Sequence, residues 1–213
     1  MLATGRCLGQ MDNILKEFIV DGAILNNGAY ANIHGEDIFK SPIDKKIIDK
    51  MMGDGLHISA LTKDEFVYFE DDPIFKTFVD YFKIDMPRLR DYSYLETHEA
   101  YSLGAYSDNC DALDLNKYDL KFVRVCKWGY DIINKDVSKA SPFAMLRNKY
   151  PGSKIIAFGD NYNDLEMLRA ADISIAMGNA PEDVKKEASF VTKHVMDEGI
   201  KYAVEEILKI YEN

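Results

Sequence analysis

Residues 154–171 read KIIAFGDNYNDLEMLRAA, and within them Asp160, Asn163 and Asp164 place two carboxylates and an amide close together. Such oxygens suit Mg²⁺, a hard cation. The same residues also suit a solvated turn in which Asn163 or Asp164 caps the next helix. The flanking sequence bears on the choice. Ile155, Ile156, Ala157 and Phe158 make a continuous apolar run, which predicts a strand buried on both faces of a parallel sheet. Leu165, Met167, Leu168 and Ala171 then recur at helical spacing. A strand whose carboxyl end delivers Asp160 into the turn before a helix puts that carboxylate in the crevice where open α/β sheets bind ligands.

The elements that must hold this turn follow from the rest of the chain. From Ser138 the order is helix, strand, helix, strand, helix, the alternation that builds a parallel sheet. Ser141-Pro142 reads as an N-cap followed by proline at the first helical position, opening a helix to about Tyr150, with Lys139 just ahead of it. Pro151-Gly152 stops that helix. A strand at 173–177, a Gly178-Asn179-Ala180-Pro181 turn, a helix at 182–188, Val191, Val195 and a terminal helix at 199–211 complete this half. Upstream, Met11, Ile14, Leu15 and Phe18 mark an amphipathic helix over 10–18 whose stripe is core. A short strand at 23–25 ends on Asn26-Asn27-Gly28, residue types that tolerate positive φ. From Tyr30 to about Lys135 the sequence turns aromatic and uneven. Strands are expected at 30–33, 56–61, 66–70, 121–126 and 130–133. Helices are marked by Ile43, Ile47, Ile48, Met51 and Met52 and by Ile74, Phe75, Phe78, Val79 and Phe82, with the phenylalanines and Trp128 in the core. The organisation expected is an α/β core from 1–29 and 136–213 with an α+β domain, 30–135, inserted in it.

With 213 residues, 47% hydrophobic and 29% charged, the chain can bury a real core. Cys7, Cys110 and Cys126 are odd in number and lack C-x-x-C spacing, which fits free structural thiols in a reducing cytoplasm. A net charge of -10 without a Lys/Arg run argues against nucleic acid as a partner, and no apolar stretch reaches the length of a membrane span. The expectation is a soluble cytoplasmic protein. His34, His57, His98 and His194 are scattered without ligand spacing.

Six short stretches together resemble the haloacid dehalogenase superfamily, specifically its Cof-like phosphatases. VSKASP (137–142), GDNYND (159–164), AMGNA (176–180) and DEGI (197–200) are similar to that family's C-terminal half; MLATGR (1–6) and NNGA (26–29) are similar to its second motif and to the step before its cap. GD-x-x-ND alone also resembles the P-type ATPases, which the missing membrane spans exclude. The resemblance implies a Rossmann-like core with helices on both faces of a parallel sheet, an α+β cap, a Mg²⁺ cofactor and a small phosphorylated metabolite, such as a sugar phosphate, as substrate. It implies catalytic roles for Thr4 and Lys139. Thr4 would hydrogen-bond the phosphoryl group through its hydroxyl and N–H, and Lys139 would neutralise phosphate and nucleophile beside a helix N-terminus. Thr4, Gly5, Arg6, Asn27, Gly28 and Lys139 would contact phosphate or substrate, and Asp160, Asn163 and Asp164 would hold or orient the metal.

One part of the family pattern is missing. No aspartate stands two places from another anywhere in the sequence, so the D-x-D-G-T motif, with its nucleophile and its acid/base, is absent. By resemblance that motif ends the first core strand, upstream of Thr4. The expectation is an N-terminally truncated member, inactive as it stands, whose longer parent is a phosphatase working through an aspartyl-phosphate. The alternative is a non-catalytic relative that binds a phosphorylated ligand or a protein partner. The gap left by the strand would be closed by its neighbours, by another chain through self-association, or by further sequence of a longer protein.

Overall fold

Short apolar runs separated by Asn- and Gly-bearing turns give the first part of the chain two sheets. The computed structural model describes residues 1–211, and the chain falls into two units, Met1–Val137 and Ser138–Asn213. In the first unit β1 (Leu2–Ala3), β2 (Gly22–Leu25), β3 (Tyr30–Ile33) and β4 (Glu36–Lys40) lie side by side in that order. β1 runs parallel to β2, and α1 (Asp12–Glu17) lies in the crossover that parallel neighbours require. At the end of β2, Asn26, Asn27 and Gly28 all take positive φ (51°, 54° and 98°) and turn the chain back on itself. β3 therefore pairs antiparallel with β2, Leu25 facing Tyr30. The boundary expected at residue 30 thus cuts a hydrogen-bonded hairpin, and the change of sheet comes only after Lys40. Phe18, expected in the core stripe, is 62% exposed, because the helix ends at Glu17 and Phe18 is already extended.

The second sheet of this unit follows α2 (Lys45–Gly53). Its strands are β5 (His57–Leu61), β6 (Phe66–Tyr68), β7 (Arg88–Leu89, after α3, Pro73–Phe82), β8 (Ser102–Tyr106), β9 (Leu120–Cys126) and β10 (Gly129–Asn134), in the order β7-β6-β5-β8-β10-β9. Ile48 and Met51 of α2 pack with Ile58, Ala60, Leu103 and Ala105, whereas Phe75, Phe78 and Val79 of α3 pack with Tyr106. Since side chains alternate along a strand, the two helices cover opposite faces. Trp128 is not in that core. It is half-buried, edge-on to the exposed Tyr81 and under the Lys127 ammonium.

β10 carries a testable electrostatic feature. Asp131 sits opposite Gly104 of β8, and burial pushes its carboxyl up to about 6. Between about pH 4 and 6 the folded chain then binds more protons than the unfolded one, so stability falls as pH rises through that window. The loss is roughly 1–3 kcal/mol and levels off about one pH unit above the folded-state value. Asp131→Asn should remove this slope and be the more stable protein at pH 7 in urea titrations; equal slopes in the two proteins would assign the effect elsewhere.

The second unit is built from α4 (Phe143–Lys149), β11 (Ile156–Gly159), α5 (Leu165–Ala170), β12 (Ile173–Ala176), α6 (Glu182–Lys186), β13 (Phe190–Val191) and α7 (Gly199–Tyr202). Its three strands are parallel in the order β11-β12-β13, with Ile156 facing Ile173 and Ile175 facing Phe190. Ile173, Ile175 and Ala203 form a core with Phe158 and Phe190 against it. Among the described residues β11 pairs only with β12, and Ile156 is 41% exposed, contrary to the burial on both faces expected of its apolar run. β1 is likewise the edge of its sheet. The terminal helix expected over 199–211 changes pitch, widening over Ala203–Ile207 and tightening over Leu208–Tyr211. Residues 212–213 of the expected core segment lie outside those described. No helix among the described residues is long and apolar enough to cross a membrane.

Candidate active site

In the second unit β11 ends on Gly159, and the next residues form a bonded turn. Asp164 folds back so that its Oδ2 accepts the N–H groups of Asp160 (2.9 Å) and Asn161 (3.1 Å), while its own N–H reaches Asn161 O (3.0 Å). A Cβ on Gly159 would lie 2.6 Å from the Asp164 Cβ, so only glycine lets the turn close this tightly. The other oxygen, Asp164 Oδ1, takes the Lys139 ammonium at 2.6 Å, both side chains being 7% exposed. Both Asp164 oxygens are therefore committed. Asp164 thus lies beneath the turn and holds it together.

Lys139 is delivered by a turn of its own. Ser141 was expected to cap α4, but its Oγ accepts the Ser138 N–H instead (2.9 Å), and Pro142 stands at the cap position. The Ser138 hydroxyl in turn accepts the Ala140 N–H. Serine hydroxyls that bond the nearby backbone in this way compete with helix capping, which is why the pattern misplaced the cap by one residue.

Asp160 is exposed at the strand end. Its Oδ2 accepts the Asn179 side-chain amide at 3.0 Å, and Asn179 Oδ1 accepts the Val195 N–H at 3.1 Å. Asn163 lies in the same turn, Tyr162–Asp164. Lys139, Asp160, Asn163 and Asp164 thus all lie in the second unit, Lys139 joined to Asp164 and the other three in one turn.

The other expected residues assemble in the first unit. Thr4 follows β1, and its N–H donates to Ile24 O (2.8 Å), so that N–H is already used within the sheet. Its hydroxyl oxygen accepts the Arg6 N–H (3.2 Å), which leaves the hydroxyl proton to be donated. Asn27 N–H reaches Thr4 O and Asn26 N–H reaches Arg6 O, both at 3.1 Å. A Cβ on Gly5 would meet the Asn27 amide at 2.9 Å. Thr4, Gly5, Arg6, Asn27 and Gly28 therefore form one packed pair of turns. Asn26, fully buried, also ties this pair to the second sheet through Nδ2 to Thr62 O (3.1 Å). Beside it opens a cavity of about 610 Å³, lined on its charged side by Arg6, Asp64, Glu65, Lys83, Asp85 and Arg88.

A family model described as haloacid dehalogenase-like hydrolase matches residues 1–204. The chain belongs to the haloacid dehalogenase-like hydrolases. Among curated relatives, a Streptococcus pyogenes serotype M6 protein named as a candidate bifunctional phosphatase/peptidyl-prolyl cis-trans isomerase is 29% identical over 97% of this chain and 46% of its own length. The candidate phosphatase YkrA of Bacillus subtilis is 28% identical over 97% of this chain and 83% of its own. The chain thus spans under half of the first and most of the second. A crystal structure of a Geobacillus kaustophilus protein superposes with a TM-score of 0.86 at 28% identity, covering 96% of this chain and 83% of that one.

The donor set of this haloacid dehalogenase-like hydrolase can be tested against the Mg²⁺ ion that the family implies. Mg²⁺ is commonly held by only one or two carboxylates, completed by water and substrate phosphate. The exposed Asp160 carboxylate offers that kind of oxygen, and among the described residues no larger cluster of His, Cys, Asp or Glu converges as a cage. The fit is to a sparse, open site. None of the cysteines contributes to it: Cys7 is buried, which pushes its thiol up to about 11 and leaves it a poor nucleophile. Sequence reasoning passed over Asn26, Gly159 and Asn179 as members of the two clusters. For Asn179 the AMGNA stretch, and for Asn26 the NNGA stretch, was a signal without a role.

Proposed function

We propose that this chain is the greater part of a Mg²⁺-dependent phosphatase of small phosphorylated metabolites, sugar phosphates or similar, which works through an aspartyl-phosphate in its full-length parent. The observation that carries this reading is the turn after β11, where Asp164 and Lys139 are buried against each other and Asp160 alone stays exposed with a carboxylate to offer. Mg²⁺ bound there would neutralise phosphate charge and favour attack at phosphorus. The chain's own residues bind and orient. In the first unit the Thr4 hydroxyl would donate to a phosphoryl oxygen and Arg6, which lines the cavity there, would meet substrate with Gly5, while Asn27 and Gly28 hold that loop in the paired turns. Lys139 holds Asp164 in position, and through it the Asp160 and Asn161 N–H groups. We assign the six-stranded sheet with α2 and α3, from about residue 41 to 135, to the substrate-choosing cap. A cytoplasmic setting and self-association along an open sheet edge belong to the same proposal.

The absence of any D-x-D pair in the 213 residues favours a second reading, binding of a phosphorylated ligand or a protein partner without turnover. A phosphomonoester panel assayed with Mg²⁺ separates the two. The chain alone should show no turnover, and a version carrying a D-x-D-G-T strand ahead of Thr4 should turn over and lose at least about 100-fold on Asp160→Ala. Turnover by the 213 residues that is lost on Asp160→Ala would overturn the inactivity; an inert extended version would leave the binding reading standing.

A further inference from the structure

Asn179 holds its side-chain amide in a single orientation. Its Oδ1 accepts the Val195 N–H (3.1 Å), which can only be an acceptor's place, so its NH₂ must face Asp160 Oδ2 (3.0 Å). The backbone beneath it is clamped as well. Met177 N–H donates to Gly159 O (2.9 Å), Gly178 N–H to Lys193 O (3.0 Å) and Ala180 N–H to Met177 O (2.9 Å). A Cβ on Gly178 would lie 2.6 Å from the His194 nitrogen, so the 177–180 turn is pressed directly onto the 193–195 backbone. The Asp160 carboxylate is therefore tied by its Oδ2, through Asn179, to a segment more than thirty residues away.

We infer that Asn179 is a positioning residue for the Asp160 carboxylate: it fixes the rotamer and leaves Oδ1 as the oxygen presented to a divalent cation. This rests on the reading of Asp160 as a cation ligand under the proposed function. Holding a ligand in its bound rotamer lowers the ordering cost of binding, and partners of this kind commonly change metal affinity 10–100-fold. The inference also fixes the sign of a second substitution. In Asn179→Asp the acceptor for Val195 survives, but a second carboxylate oxygen replaces the NH₂ about a hydrogen-bond length from Asp160. A divalent cation relieves that repulsion, so cation binding should tighten although the hydrogen bond is gone.

The test needs no turnover. Mn²⁺ is titrated into the isotope-labelled 213-residue chain, and the concentration that half-broadens the Gly159 and Asp160 amide resonances is recorded, with the melting temperature read in parallel. For Asn179→Ala that concentration should rise about 10-fold or more, and for Asn179→Asp it should fall below that of the wild type. A merely structural role for Asn179 would weaken both variants in step with their melting temperatures, and that result would overturn the inference, as would an Asn179→Ala titration matching the wild type. If instead the wild-type chain shows no Mn²⁺ broadening at Asp160, the cation-site reading itself fails, an outcome distinct from either.

Discussion

Lys139→Met should destabilise the protein by about 3–5 kcal/mol, because it leaves the Asp164 carboxylate buried without its counter-charge. The pair is 7% exposed on each side, so water cannot take over the missing interaction. Asp164 cannot simply turn away either, since its second oxygen holds the Asp160 and Asn161 N–H groups. Adding Asp164→Asn to the first substitution removes the stranded charge and keeps an acceptor for those two donors. The double variant should therefore recover more than half of the loss. Urea unfolding followed by circular dichroism reads both. A Lys139→Met protein within about 0.5 kcal/mol of the wild type would mean that the pair is solvated in solution, and the account of the turn would fall with it.

Gly159→Ala is expected to have the next largest effect, about 1–3 kcal/mol, through overpacking rather than charge. The added methyl would sit 2.6 Å from Asp164 Cβ and 3.0 Å from its carboxyl carbon. A Cβ has no rotamer to escape into, so either the end of β11 or the whole Tyr162–Asp164 turn has to shift. The thermal midpoint should fall by several degrees. The Asp160 amide signal should move with it, because its bond to Asp164 Oδ2 is what the shift breaks. An unchanged midpoint together with an unmoved amide signal would show that the turn is looser than its geometry states.

Much of this arrangement was legible in the sequence, and the parts that were not share physical causes. The Asp160 turn was readable because an apolar run, a Gly-Asp step and a helical repeat occur in succession, and each has its own pattern. β8 was not anticipated. Its sequence, Ser-Leu-Gly-Ala-Tyr, is buried at every position, so alternation is lost, and Gly104 reads as a strand breaker. That glycine is required because the Tyr106 hydroxyl, bonded to Ser59 Oγ at 2.8 Å, would stand 2.1 Å from any Cβ there. Sequence periodicity carries no trace of a contact between positions 59, 104 and 106. The boundary placed at Tyr30 followed a change of composition, whereas the hydrogen bonding of β2, β3 and β4 runs on until after Lys40. At the site, residue type revealed which side chains could bind a cation but not which were already committed. The difference between Asp160 and Asp164 lies in partners supplied by Asn179 and Lys139, 19 and 25 positions away.

The edge positions of β1 and β11 within their own sheets, as the described residues show them, also bear on how the protein behaves as a solute. Unpaired strand edges are templates for pairing with another molecule, and Ile156 adds exposed apolar surface to one of them. Both edges are short, and a net charge of -10 keeps copies apart while that charge is felt at long range. At 1 M salt the screening length shrinks to about 3 Å, and the repulsion no longer reaches across the gap between approaching molecules. Colloidal stability should therefore be greatest in dilute buffer, and light scattering should rise with ionic strength well before any unfolding is seen.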